Sequence, residues 1–120
     1  MITINKRKDM QKYFIPETNT YVFDDHVQFN FNVSVSSHIN AYNIYALNIN
    51  AHNIYALNIY AQNIYALNIY VRDYINAHAI SYYAVCLAYK NITCTSIKGR
   101  RPNSKHFVLK DEIKEELNNE

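Results

Sequence analysis

Isoleucine marks a fixed beat through the middle of this chain. It returns at Ile39, Ile44, Ile49, Ile54, Ile59, Ile64 and Ile69, and from Ile44 onward each is preceded by Asn. Two places after each Ile up to Ile64 stands an Ala. A period of five suits neither regular element. Each helical residue advances about 100°, so isoleucines five apart would wander around the axis and form no stripe. On a flat strand, side chains alternate faces, and an odd period throws successive isoleucines to opposite sides. The pattern becomes physical only if the chain turns a corner every five residues and brings each Ile back inward. It therefore predicts a β-solenoid with Ile44, Ile49, Ile54, Ile59, Ile64 and Ile69 as its core, joined by the alanines.

Outside the repeat the pattern changes. His26–Val35 alternates polar and apolar residues, which predicts a half-buried strand that leads into the first coil and caps it. After Ile69 the beat slips by one, to Ile75, Ile80 and Val85, and then breaks. Tyr83–Tyr89, Ile92–Ile97 and His106–Leu109 read as a last irregular coil and two cap strands, and Asp111–Leu117 as a short helix. Three segments result: 1–36, an N-terminal segment with the cap strand; 37–97, the repeat; and 98–120, a basic loop, a cap strand and an acidic tail.

The lines Ala41-Tyr-Asn-Ile-Tyr45 through Ala66-Leu-Asn-Ile-Tyr70 resemble the pentapeptide-repeat family, whose quintets place a small residue, Asp or Asn, and a large apolar residue in register. One departure is visible: the family's small residue sits two before the large one, whereas Ala46, Ala51, Ala56, Ala61 and Ala66 sit two after an Ile. The resemblance implies an all-β fold, a right-handed quadrilateral β-helix with one quintet per side and about twenty residues per coil, stacked at about 4.8 Å. Residues twenty apart would then be vertical neighbours, with Leu47 over Leu67, Tyr45 over Tyr65 and Asn50 under Tyr70.

Charge divides the chain unevenly. Residues 1–25 mix signs, and no Asp, Glu, Lys or Arg occurs from His26 to Val71. Charge then returns as a basic run at Lys98–Lys105 and an acidic end from Asp111 to Glu120. The formal net charge is only +2, which implies no global attraction to nucleic acid or membrane. The basic loop is the best local candidate for an anionic partner, nucleic acid included, although four cations beside Gly and Pro commonly make a solvated turn. Cys86 and Cys94 are too few for a disulfide framework and lack metal spacing, so they read as half-buried thiols of a cytoplasmic protein. Neither a signal sequence nor a membrane span is legible.

Catalytic chemistry has no foothold in the pattern. The carboxylates avoid the repeat, and His26, His38, His52, His78 and His106 are scattered without metal spacing. The single glycine, Gly99, cannot build a phosphate cradle and reads as a turn residue with positive φ. No cofactor, metal or catalytic residue is expected, and the chain reads as a non-enzyme.

Two functions fit. The resemblance implies a protein-interaction module, a phage or mobile-element inhibitor that blocks the surface of a nucleic-acid enzyme such as a CRISPR nuclease or a topoisomerase. Its expected partner-binding residues are Tyr55, Leu57, Tyr60, Gln62 and Tyr65, with Arg100 and Arg101 beside them. The charge-free repeat weighs against electrostatic DNA mimicry, which needs phosphate-like negative charge. The alternative is a self-assembling scaffold whose Leu and Tyr faces bind copies of the same chain; a homodimer suits either reading.

Overall fold

The computed structural model of the protein describes residues 1–109; the helix expected over Asp111–Leu117 lies outside the described residues. Short strands come first: β1 (Ile2–Ile4), β2 (Phe14–Ile15), β3 (Thr20–Val22), β4 (Val27–Phe29), β5 (Val33–Ser34) and β6 (His38–Asn40). The repeat follows as β7 (Asn43–Asn50), β8 (Asn53–Asn76) and β9 (Ala79–Ala88), and the chain closes with β10 (Asn91–Thr93), β11 (Ser96–Gly99) and β12 (Lys105–Val108). Every pairing is parallel except that of β2 with β3. Parallel coils stack into a β-solenoid of about 5 turns.

The coil has three sides, and the four-sided expectation is corrected on this point. Ile44 lies opposite Ile59 and Ile49 opposite Ile64, so one coil of the repeat takes fifteen residues, or three quintets. Tyr45 stacks on Tyr60 with ring centroids 5.1 Å apart, and Tyr55 on Tyr70 at 5.2 Å. The expected stacks of Tyr45 on Tyr65 and Leu47 on Leu67 do not form. Close packing supplies a reason. Each side sends inward only a β-branched Ile and a small Ala, and three such pairs fill a triangular section. A square section would leave a void between side chains that reach so little way from the backbone.

Three inward columns result. One runs through Val27, Ile44 and Ile59; the second through Val33, Ile49, Ile64, Ile80 and Ile97; the third through Tyr21, Ile39 and Ile54, and through Ile69 and Cys86. All six isoleucines expected in the core are at most 2% exposed. Ala51 and Ala56 are buried with them, while Ala46 and Ala61 are half-buried against the core. Asn before each Ile builds a ladder on each side. Asn58 Nδ2 donates to Asn43 Oδ1 (2.9 Å), Asn63 to Asn48 (2.6 Å) and Asn68 to Asn53 (3.0 Å). Each such bond is worth about 1 kcal/mol net.

The His26–Val35 stretch is no single cap strand. It divides into β4 and β5, because Val27, Val33 and Ile39 recur every six residues and occupy successive columns. The ladder therefore crosses the expected boundary at residue 37 without a break. The N-terminal cap lies earlier in the chain. A 3-10 stretch, Arg7–Tyr13, packs on β1 and β3 and buries Met10 completely. Tyr13, Phe23 and Phe29 close over that end, with centroid distances of 4.7 and 5.6 Å. Asn19 turns the chain in the left-handed region (φ 53°), where Asn is tolerated, and its amide bonds the Ser36 carbonyl and the Ser37 hydroxyl.

Two further expectations change. Gly99 does not have positive φ. It is glycine because a Cβ there would collide with Ser104 and approach the Tyr82 hydroxyl to 3.0 Å. Cys86 is not half-buried but fully buried, standing in a column where the repeat has Ile, and burial pushes its thiol up to about 12. Cys94 remains half-buried.

Candidate protein-binding surface

The phrase Asn-Ile-Tyr-Ala-Leu dictates the surface as well as the core. Ile points in and Tyr points out in mid-side. Ala then sits at the corner with its methyl inward, and Leu or its polar substitute stands out beyond it. A wall of Tyr and a wall of Leu therefore flank a floor of Ala, and each corner of the triangle is a trench along the solenoid axis.

The first trench holds a groove of about 550 Å³. Its floor is Ala41, Ala56 and Val71; one wall is Asn40, Tyr55, Tyr70 and Leu87, and the other Tyr42, Leu57, Arg72 and Tyr89. These residues come from successive coils, so the groove crosses four rungs, or about 14 Å of axis at the usual strand spacing. Tyr42 is 47% exposed and Tyr55 40%. Arg72 is its single charged lining residue, and neither ion pair among the described residues, Met1–Asp25 or Asp73–Lys90, involves it. At the second corner, Tyr45, Ala46, Leu47 and Tyr60 edge a smaller hollow of about 380 Å³.

The third corner is filled from within. Arg100 lays its guanidinium 3.8 Å from the Tyr65 ring centroid. Its two terminal nitrogens donate to Ser81 Oγ (2.8 Å) and to the Ala66 carbonyl (2.9 Å). Arg101 lies 5.6 Å from the Tyr83 centroid, with a buried Nε. The basic loop is thus pinned to the solenoid, its backbone also donating from Arg100 to Tyr82 and from Arg101 to Tyr83.

The seven partner-binding residues expected from sequence do not share one face. Tyr55 and Leu57 lie on the first groove. Tyr60 belongs to the second corner, and Gln62 stands beyond it, exposed. Tyr65, Arg100 and Arg101 meet at the third side. Three consecutive quintets on a three-sided coil must face three ways. Sequence reasoning missed Tyr42, Tyr70, Leu87 and Tyr89, which complete the groove. The signal was present as the spacing of fifteen that joins Tyr55 to Tyr70 and Tyr42 to Leu57, but a coil of twenty hid it.

The histidines at the corners act as caps for backbone groups. His26 Nδ1 accepts from the Asn43 amide (3.1 Å) and His38 Nδ1 from the Asn53 amide (3.3 Å). At the C-terminal end, the Tyr82 hydroxyl and His106 Nδ1 are hydrogen-bonded at 2.8 Å beside Ser104, and burial raises the Tyr82 phenol. Among the described residues, no group of three or more His, Cys, Asp or Glu converges, and no helix is long and apolar enough to cross a membrane. Compared with known proteins, the chain matches no protein family, no curated protein and no solved structure.

Proposed function

We propose that this protein is a non-enzymatic interaction module that inhibits a nucleic-acid enzyme, in the manner of a phage or mobile-element inhibitor, by covering its working surface. The observation that carries this reading is the first groove, where Tyr42, Tyr55, Leu57, Tyr70, Leu87 and Tyr89 stand together on a rigid ladder. Tyrosine offers large contact area at small entropic cost, and aromatic residues concentrate at the anchors of protein interfaces. The groove is lined by no carboxylate and its single charge is the cation of Arg72, so contact here rests on shape and desolvation and not on imitation of a phosphate backbone. A CRISPR nuclease or a topoisomerase is the class of target to assay first.

The test measures inhibition of such enzymes by the wild type and by Tyr55→Ala and Leu57→Asp. Loss of inhibition with an unchanged melting point supports the groove. Light scattering of the protein alone tests the scaffold reading: open-ended growth without a partner would overturn the inhibitor reading, and a discrete monomer or dimer is the expected result.

A further inference from the structure

The first groove carries one charge, and that charge stands at a definite rung. Arg72 lies on the wall of Tyr42, Leu57 and Tyr89, third of the four along the solenoid axis. No Asp, Glu, Lys or Arg occurs from His26 to Val71, so the two rungs before it are uncharged. Neighbouring cations are engaged within the molecule. Lys90 pairs with Asp73 at 3.7 Å and lies near the Tyr74 ring, Arg100 holds Tyr65, Ser81 and Ala66, and Arg101 faces Tyr83. Arg72 is exposed and makes no ion pair, ring contact or side-chain hydrogen bond among the described residues.

An unpaired guanidinium costs nothing in water but a great deal once an apolar partner covers it. Whatever desolvates the Tyr and Leu walls must therefore bring an acceptor to the third rung. A carboxylate meets the guanidinium fork with two parallel hydrogen bonds, which a neutral amide cannot match. A nucleic-acid strand fits less well. It brings a phosphate with every nucleotide, and the other rungs would meet those phosphates with tyrosine, leucine and alanine and no cation.

We propose that the groove takes an extended segment of a partner protein that carries one Asp or Glu between apolar residues, with the carboxylate on Arg72. The proposal rests on the reading of this surface as an interaction module and names the chemistry that it recognises. Rungs stack at about 4.8 Å, and an extended chain rises about 3.3 Å per residue. The Tyr42 rung, two spacings or about 10 Å from Arg72, is thus three residues away along such a segment. The Tyr89 rung, one spacing away on the other side, is one or two residues away. The segment should therefore place an apolar residue three positions from the acid, and a second one or two positions beyond it.

The experiment is an NMR titration of the whole chain at low salt with the blocked peptide acetyl-Leu-Thr-Thr-Glu-Thr-Leu-amide and with its Gln counterpart. Saturable shifts at Tyr42, Tyr55, Leu57, Tyr70 and Arg72 are expected, with the Glu peptide binding about fivefold more tightly, the scale of one well-formed ion pair at a partly exposed site. Arg72→Gln, checked for an intact spectrum, should bind both peptides equally and weakly. Equal binding of the two peptides by the wild type, a Glu preference that survives in Arg72→Gln, or no saturable shifts would each overturn the proposal. So would tighter binding of a single-stranded oligonucleotide through Arg72, or concentration-dependent shifts at the groove without peptide, which would place a second copy there. Shifts of the Asp111–Glu120 resonances in peptide-free Arg72→Gln would assign the groove to this chain's own acidic end and overturn it too. Failure of the wider reading looks different: the Glu peptide binds through Arg72 but no nucleic-acid enzyme is inhibited. Conversely, inhibition unchanged in Arg72→Gln keeps that reading and refutes this contact.

Discussion

Replacing Arg100 with Ala separates a structural latch from a binding residue. The side chain makes one cation–π contact with the exposed Tyr65 ring and two part-buried, charge-assisted hydrogen bonds, all to the solenoid. A cation–π contact in such a site contributes about 1 kcal/mol, and each hydrogen bond about 1 kcal/mol after discounting for partial exposure. The variant should therefore lose about 3 kcal/mol, a fall in Tm of roughly 10–20 °C for a domain of this size. Arg100→Lys keeps the charge but not the fork, and should recover less than half of the loss. A double-mutant cycle with Tyr65→Leu should give a coupling of about 1 kcal/mol, since the two side chains are in direct contact. Thermal unfolding by circular dichroism supplies all four corners. If Arg100→Ala melts with the wild type while losing its partner, the residue is a contact and the latch is refuted.

Ile59→Ala should cost about 2–5 kcal/mol in urea titration, as deletion of a fully buried branched side chain does, and Ile59→Asp should prevent folding altogether. Spin labels at Leu47 and Gln62, fifteen residues apart, should lie about one strand spacing from each other, with a pair at Leu47 and Leu67 clearly farther; the reverse order would restore a four-sided coil. Gly99→Ala should destabilise through its clash with Ser104, and a second change, Ser104→Gly, should recover part of the loss in Tm. The Cys86 thiol, raised from 9.0 to about 12, stabilises the fold fully below about pH 9, and that contribution is lost as pH rises towards 12. Stability should thus fall less steeply above pH 9 in Cys86→Val than in the wild type, and at neutral pH an alkylating reagent should reach Cys86 only on unfolding.

The sequence by itself determined that the chain is a solenoid, which residues are inside it and which phrase faces outward. A five-residue period with inward Ile has few other solutions, and identical lines must stack as identical ladders. What it left open was which line lies above which. Every quintet from Ala41 to Tyr70 offers the same Asn, Ile and apolar core, so local pattern fits a coil of fifteen as well as one of twenty. The better clue lay outside the repeat, in the six-residue spacing of Val27, Val33 and Ile39, which looked like an alternating strand until three columns gave each residue a side. The surface depended wholly on that choice. Tyr55 and Tyr70 became neighbours, and Tyr55 and Tyr65 were sent to different faces. Arg100, thirty-five residues after Tyr65, became the plug of a corner instead of a free contact. Only tertiary structure could decide this, because the number of sides is set by how the inward side chains close-pack across the coil, a property of the whole cross-section and of no single line.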